Sequence, residues 1–566
     1  MAGSDEASEL VQELVSLWQN GLGSSTMILA DLLLANATTL GLRGRPELHL
    51  SVLFCYADSL FEDFQYRRAL HYYRECSKVL SEMHHSSYVT EKEVPSDPDI
   101  KWKIYRCYMK LKDYQEAIDM LCTIPVNQRS VRVVTALATL YQNYKNDNKS
   151  AALCYRQALR MCPFAVEAVL GLLSTGMCLE EVSSLSHLKP VSGQGKHVTS
   201  CSWLKGWLEA QSCLAGKDHI GAVMSFQKMR KENFNFSPDM NCDLALCMAR
   251  LGRRGGAEEL FNTARIQDQY TLRHMDTFAR ISDSAKVQRL SSELLCVSTI
   301  HPEPWVAKGW SISRNRDLAD RNQAHCFIAK AQSLCFKSTE ANFLQASLSF
   351  AKHDTKQAIR KYAETIHQDP AFFEAYEALI RCYQVTKSDT EAIEIARMAK
   401  QYIKQPAQQL YLEGIAQSSG PSTIQKAKVN LLKAVDLDGQ FSDAPLALAD
   451  IYEREGNMEK AAEVLLKCTE RTHCTAGLHT KLGSLLQKLK RYGDAMEHFR
   501  LALSKDPTCE KARSGLQTVK LWQEAWHCML MKKSMVIMTT VFLVWTLAIK
   551  AIEENSCASG MMRFIS

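Results

Sequence analysis

Residues 482–507 read LGSLLQKLKRYGDAMEHFRLALSKDP. In the first half, Leu482, Gly483 and Leu486 share one helical face. After a short polar break, Tyr492, Ala495, Phe499 and Ala502 share another, and Pro507 closes the run. Small residues set among large apolar ones on facing stripes let two helices approach closely, with Phe499 filling the gap. A single helix pair of this kind buries too little surface to be stable alone, so it needs neighbours built the same way.

The neighbours are in the sequence. Moving upstream from Ala495, equivalent alanines stand at Ala461, Ala427, Ala392 and Ala358, at intervals of 34, 34, 35 and 34 residues. Each carries its own apolar and small followers: Leu465 and Cys468, Leu431 and Ala434, Ala396 and Ala399, Tyr362 and Pro370. The signature recurs toward the N-terminus as Ala57, Leu60, Tyr66, Ala69 and Tyr73, as Tyr108, Tyr114, Ala117 and Leu121, and as Ala151, Tyr155, Ala158 and Pro163. Ala222 with Phe226, Ala257 with Phe261, and Trp305, Gly309, Ala324, Ile328 and Ala331 continue it, the last with a three-residue insertion. Two near-double intervals, 71 residues from Ala151 to Ala222 and 67 from Ala257 to Ala324, each leave room for a degenerate copy, around Leu172–Leu188 and Phe278–Val297.

A helix–turn–helix period of about 34 residues with this pattern is the tetratricopeptide repeat. The sequence therefore predicts an all-α, right-handed superhelical solenoid of about 13 repeats over residues 50–516, with a groove lined by the first helices. The expected organisation is an N-terminal helical cap in 1–48, with helices near 7–20 and 26–41, then repeats in 49–300 and 301–516, and an atypical tail in 517–566. Exposed loops are expected at Glu82–Asp97 and near Pro190–Lys196. The residues Ala57, Ala69, Tyr73, Ala117, Ala151, Tyr155, Ala158, Ala358, Tyr362, Ala392, Ala427, Ala461, Gly483, Ala495, Phe499 and Ala502 are expected to pack the repeats together.

Composition excludes several function classes. A chain of 566 residues exceeds the roughly 250–300 at which one core stops growing. Its +6 charge, from 68 basic and 62 acidic residues, has no basic block with interleaved aromatics, so nucleic acid is not an expected partner. The 20 cysteines include no Cys-x-x-Cys pair and read as small buried hydrophobes in a reducing compartment rather than as zinc ligands. The acidic N-terminus lacks a signal-peptide pattern, and the apolar run Met27–Ala35 is too short to cross a bilayer. Nucleus and cytoplasm are the expected locations.

No catalytic, cofactor or metal site is expected. Ser192–Lys196 fails the phosphate-loop spacing, since Pro190 stands where a glycine is required and His197 follows the lysine. His84 and His85 have no ligand partner at suitable spacing. The paired Lys and Asn with which some repeat co-chaperones clamp a chain-terminal carboxylate would fall at Phe54/Asp58, Trp102/Arg106, Phe343/Ser347, Glu377/Arg381 and Thr480/Ser484; none of these supplies the pair. Residues 534–549, SMVIMTTVFLVWTLAI, form an uncharged run between Lys532-Lys533 and Lys550. Sixteen residues fall short of the roughly 17–25 of a spanning helix, so the run reads as a capping helix or an alternative end, with a tail anchor as the other reading.

Strings at positions that the repeat pattern leaves free carry a closer likeness. They are residues 56–69 (YADSLFEDFQYRRA), 170–174 (LGLLS) with 181–183 (EVS), 301–306 (HPEPWV) and 425–434 (QKAKVNLLKA). Together they resemble the subunit-seven family of the anaphase-promoting complex, or cyclosome, over residues 45–516. The resemblance implies a non-catalytic scaffold in a cell-cycle ubiquitin ligase. It implies homodimers through the N-terminal repeats, stacking on other cyclosome repeat subunits, and activator tails as further groove partners. The alternative is a tail-anchored receptor that captures client proteins at a membrane surface. The family's acidic end has no counterpart here: residues 517–566 hold five basic and three acidic residues.

Overall fold

The computed structural model describes residues 2–84, 95–185, 202–232, 235–314, 318–335, 337–420, 422–471, 475–507, 509–524, 539–540 and 543–547. Among these residues the regular structure is helical throughout, without strands. Successive helices pair as the 34-residue period requires: Pro46–Glu62 with Tyr66–His84, Asp97–Leu111 with Tyr114–Cys122, Thr339–Ala351 with Thr355–Gln368, Phe373–Val385 with Asp389–Tyr402, and Ala476–Lys488 with Tyr492–Lys505. Both degenerate copies are helix pairs, Val166–Ser174 with Leu179–Leu185, where the described residues break off, and a short Met275–Ile281 with Ser284–Val297. The helices Ala2–Gln19 and Gly23–Ala35 precede the first repeat. Helix Tyr66–His84 runs three residues into the expected 82–97 loop; the rest of that loop up to residue 94, the 190–196 segment and most of 534–549 lie outside the described residues.

The packing residues named from the sequence are all buried. Phe499 shows why they recur. A Cβ added to Gly483 would lie 2.8 Å from its ring, and one added to Gly515, in the following turn of chain, 2.5 Å away. The ring is thus clamped between the first helix of its own repeat and the next one, and only glycine leaves room.

The turns inside the pairs share a second device. Phe64, Lys112, Asn146, His353, Lys387 and Lys490 adopt positive φ between 53° and 67°, as Gly252 and Gly456 do at 76° and 82°. Each sits just after a first helix and reverses the chain. At Lys112 the following Asp113 N–H donates to the Tyr108 carbonyl at 3.0 Å, closing the helix with a left-handed cap. Second helices then start on aspartate caps: Asp147, Asp218 and Asp354 each accept from a backbone N–H three residues on.

The chain divides into two compact units, Met1–Gly216 and Lys217–Ser566. In the first, side-chain hydrogen bonds join sequence neighbours or adjacent repeats. The second coils back on itself, so that helices near residue 250 meet helices near 408.

Candidate interaction surfaces

In the first unit the first helices carry a polar network beside aromatic rings. Asp58, 5% exposed on Pro46–Glu62, accepts from Lys103 Nζ at 2.8 and 2.9 Å and from the Tyr73 hydroxyl. Burial, then the Asp58 charge, pushes the Tyr73 hydroxyl well above its usual range. Lys103 also lies over the Phe54 ring at 5.6 Å, Arg106 over Phe61 at 4.5 Å and Arg132 over Trp102 at 5.2 Å. Burial pushes the Cys55 and Cys107 thiols up to about 12, which keeps them protonated and unreactive.

The helix Gly23–Ala35 offers a different surface. Its sequence GSSTMILADLLLA is mostly apolar, with Ser24, Ser25 and Asp31 as exposed polar positions, yet only Thr26, Ala30 and Leu33 are buried. Leu22, Ile28 and Leu32 stand 51%, 65% and 56% exposed. A largely apolar helix that packs along one stripe leaves its exposed apolar residues as a surface for contact.

In the second unit the inward faces of the first helices are joined by charge. Arg250 on Pro238–Arg250 lies 3.4 Å from Glu340, 3.5 Å from Asp369 and 3.8 Å from Glu374, and its guanidinium stacks 3.6 Å above the Phe372 ring. Arg280 on Met275–Ile281 donates from Nε to Glu340 at 3.0 Å and from Nη1 to Glu374. Lys217 adds a third cation, 3.3 Å from Asp369. Three positive groups thus face three carboxylates, and except for Lys217 each is at least nine-tenths buried. Burial works against the Arg280 charge, and Glu340 and Glu374 overcome it, holding the guanidinium above its usual range. Burial likewise opposes ionisation of Glu374, and Arg280 and Arg250 hold it below the usual carboxylate range. Asp276, beside this network, is pushed up to about 6 by burial and by the Glu340 charge.

The expected groove is therefore not open throughout. Among these helices it narrows to a cleft of about 310 Å³ lined in part by Arg280, Trp310, Phe343, Tyr362 and Glu377. Of the positions tested for a carboxylate clamp, Asp58 is engaged by Lys103, and Glu377 accepts from Arg381 at 2.5 Å and from the Tyr411 hydroxyl at 2.8 Å. Ser192–Lys196 and His85 lie outside the described residues. Among the described residues no three His, Cys, Asp or Glu side chains gather at metal-binding geometry, and no helix is long and apolar enough to cross a membrane.

Comparison with known proteins gives the surfaces a context. The tetratricopeptide-repeat pattern matches residues 446–472 and 476–509. Over 517 residues the chain is 28% identical to anaphase-promoting complex subunit 7 of Homo sapiens, covering 88% of this chain and 90% of that one. The resemblance is to anaphase-promoting complex subunit 7. The Arabidopsis thaliana subunit 7 is 25% identical over 536 residues, covering 90% and 93% of the two chains. Among solved structures, a chain in the crystal structure of the APC/C hetero-tetramer Cut9–Hcn1 matches with a TM-score of 0.52 at 15% identity, over 91% of this chain and 97% of that one; this likeness is one of fold.

The repeat spacing marks residues that pack helices and does not single out Arg250, Arg280, Glu340, Asp369 or Glu374. The signal that was available is charge at positions surrounded by apolar residues, as at Glu374 in AFFEAYEAL (371–379) and Glu340 in STEANFL (338–344).

Proposed function

We propose that this chain is a non-catalytic scaffold subunit of the anaphase-promoting complex, holding other repeat subunits in place for cell-cycle-regulated ubiquitination. The observation that carries the reading is its collinearity with the human subunit 7, which extends over nine-tenths of that protein's length. The repeat fold supports it, because stacked helix pairs offer extended faces rather than a reaction pocket. Affinity purification from synchronised cells with quantitative mass spectrometry tests it. Stoichiometric recovery of other anaphase-promoting complex subunits from nuclear and cytoplasmic extracts is expected; their absence sinks the assignment.

Two copies of the chain associate, in this reading, through the first unit. The apolar residues Leu22, Ile28 and Leu32 support that placement, since covering them removes exposed apolar surface on both partners. The variant Ile28→Glu/Leu32→Glu is expected to sediment as a monomer where the wild type sediments as a dimer, with the helical circular dichroism of both alike. Activator tails would lie along first-helix faces outside the stretch closed by Arg250 and Arg280.

A further inference from the structure

The seam along which the second unit closes on itself is held mainly by charge. One rim carries Lys217, Asp218, Arg253 and Arg254, and the other carries Asp369, Lys404, Asp438 and Asp443. They meet as four ion pairs: Lys217 with Asp369 at 3.3 Å, Lys404 with Asp218 at 3.2 Å, Arg253 with Asp438 at 3.7 Å and Arg254 with Asp443 at 3.5 Å. The four cations keep between 30% and 56% of their side chains exposed. Apolar packing across the seam is thin. Phe441 lies against Gly252, but between His219–Lys231 and Pro406–Ala416 the rims leave a cleft of about 320 Å³ unfilled. The Gln408 side chain reaches across to the Arg250 carbonyl at 2.9 Å. The helices of each rim have partners of their own along the chain, Pro238–Arg250 with Arg254–Gln267 and Pro406–Ala416 with Ile424–Leu437.

Half-exposed ion pairs are weak, and salt screens them: the Debye length is about 10 Å at 0.1 M and about 3 Å at 1 M, which is the scale of the contacts themselves. The buried contacts of Arg250 with Glu340, Asp369 and Glu374 hold less than their number suggests, because parting the rims returns those charges to water. Such a seam opens at small cost without unfolding a repeat. We propose that it is a latch governed by ionic strength: the two rims part and rejoin with every helix pair intact, and parting them widens the groove cleft that Arg254 and Arg280 help to line. The latch stands on this chain's own geometry and does not depend on the scaffold reading.

The test is energy transfer in the full chain. Lys231 and Lys433, exposed positions on either side of the seam, are each replaced by p-azidophenylalanine and carry a donor and an acceptor dye. An excess of unlabelled chain removes transfer between copies. From about 0.1 M to about 1 M NaCl the ratio of open to closed chains is expected to rise about tenfold, equivalent to about 1.4 kcal/mol over the four pairs, and to return on dilution. Helical circular dichroism should stay constant throughout. Arg254→Asp should give the open chain's transfer already at low salt, and Arg254→Asp/Asp443→Arg should restore the closed value. Three results overturn the proposal: transfer that ignores salt, transfer lost only together with helicity, or a double variant as open as the single one. The last would mean that Arg254 packs the seam rather than pairing across it.

Discussion

The two compact units are built from the same repeat but are held together over different distances. In Met1–Gly216 the Lys103–Asp58 pair, 45 residues apart, joins one repeat to the next. In Lys217–Ser566 Arg280 reaches Glu374 across 94 residues, and the Gln408 side chain donates to the Arg250 carbonyl across 158. A stack of nearest-neighbour contacts loosens a repeat at a time, whereas a coil tied across its own turn has to open several repeats together. The same helix pairs can thus give a compliant unit or a cooperative one, depending on what their inward faces carry.

The largest expected effect comes from breaking that tie. Arg280→Met leaves Glu340 and Glu374 short of a partner in a buried site and should destabilise the second unit by about 3–5 kcal/mol. Hydrogen exchange read by mass spectrometry should rise together in Pro238–Arg250, Thr339–Ala351 and Phe373–Val385. Lys103→Met, the matching change in the first unit, should cost about 2 kcal/mol, and exchange should rise only in the repeats that flank it. If both variants loosen only their neighbours, the contrast between the units is wrong.

Gly252→Ala probes the same closure through the backbone. Gly252 has φ of 76°, and an added Cβ would sit 2.9 Å from the Phe441 ring, whose residue lies 189 positions on. The left-handed conformation and the clash together should cost about 2–3 kcal/mol. In a Phe441→Leu background the clash is relieved and the backbone cost remains, so the penalty should fall to about 1 kcal/mol. Equal penalties in the two backgrounds would show that the turn of the coil is not in contact there.

What the sequence made legible follows from the range of these forces. Ala495, Phe499 and Gly483 were readable because their spacing is set within one helix pair and repeated every 34 residues or so, which is also why the shortened pair at Met275–Val297 could be located from an interval alone. Arg250 with Glu340, or Gly252 with Phe441, obeys no spacing rule, since the pitch of the coil brings these residues together. The left-handed turns were missed for a different reason. Glycine is the usual sign of them, and here Lys387, Lys490 and Phe64 adopt that conformation instead.

Asp276 gives the contrast a pH dependence. Its carboxyl is pushed up to about 6 in the folded chain, against an ordinary value of 3.8. The unfolded chain gives up this proton first, so folding is penalised progressively as pH rises from about 4 to 6, and the penalty is complete above that. Asp276→Asn keeps an oxygen for the Thr277 N–H, now 2.7 Å from the carboxylate, and removes the charge. The variant should match wild type at pH 4 and gain about 1–2 kcal/mol by pH 7, discounted for the partial exposure of the group. A gain of the same size at both pH values would mean that relieved packing, rather than the buried charge, is responsible.

The smallest effects sharpen the comparison most, because they can be made identical in the two units. Phe64 and Lys387 both sit in the left-handed turn after a first helix, one in each unit, at φ of 62° and 58°. A side chain there costs about 1–2 kcal/mol relative to a right-handed residue, and glycine gives back part of that gain as unfolded-chain entropy. Phe64→Gly and Lys387→Gly should therefore each stabilise their turn by about 0.5–1 kcal/mol. The local term is the same, so any difference in how far protection spreads reports the unit around it. Slowed exchange should stay within the repeats next to residue 64, and around residue 387 it should extend to Pro238–Arg250, which the Arg250 and Arg280 network ties to that part of the coil.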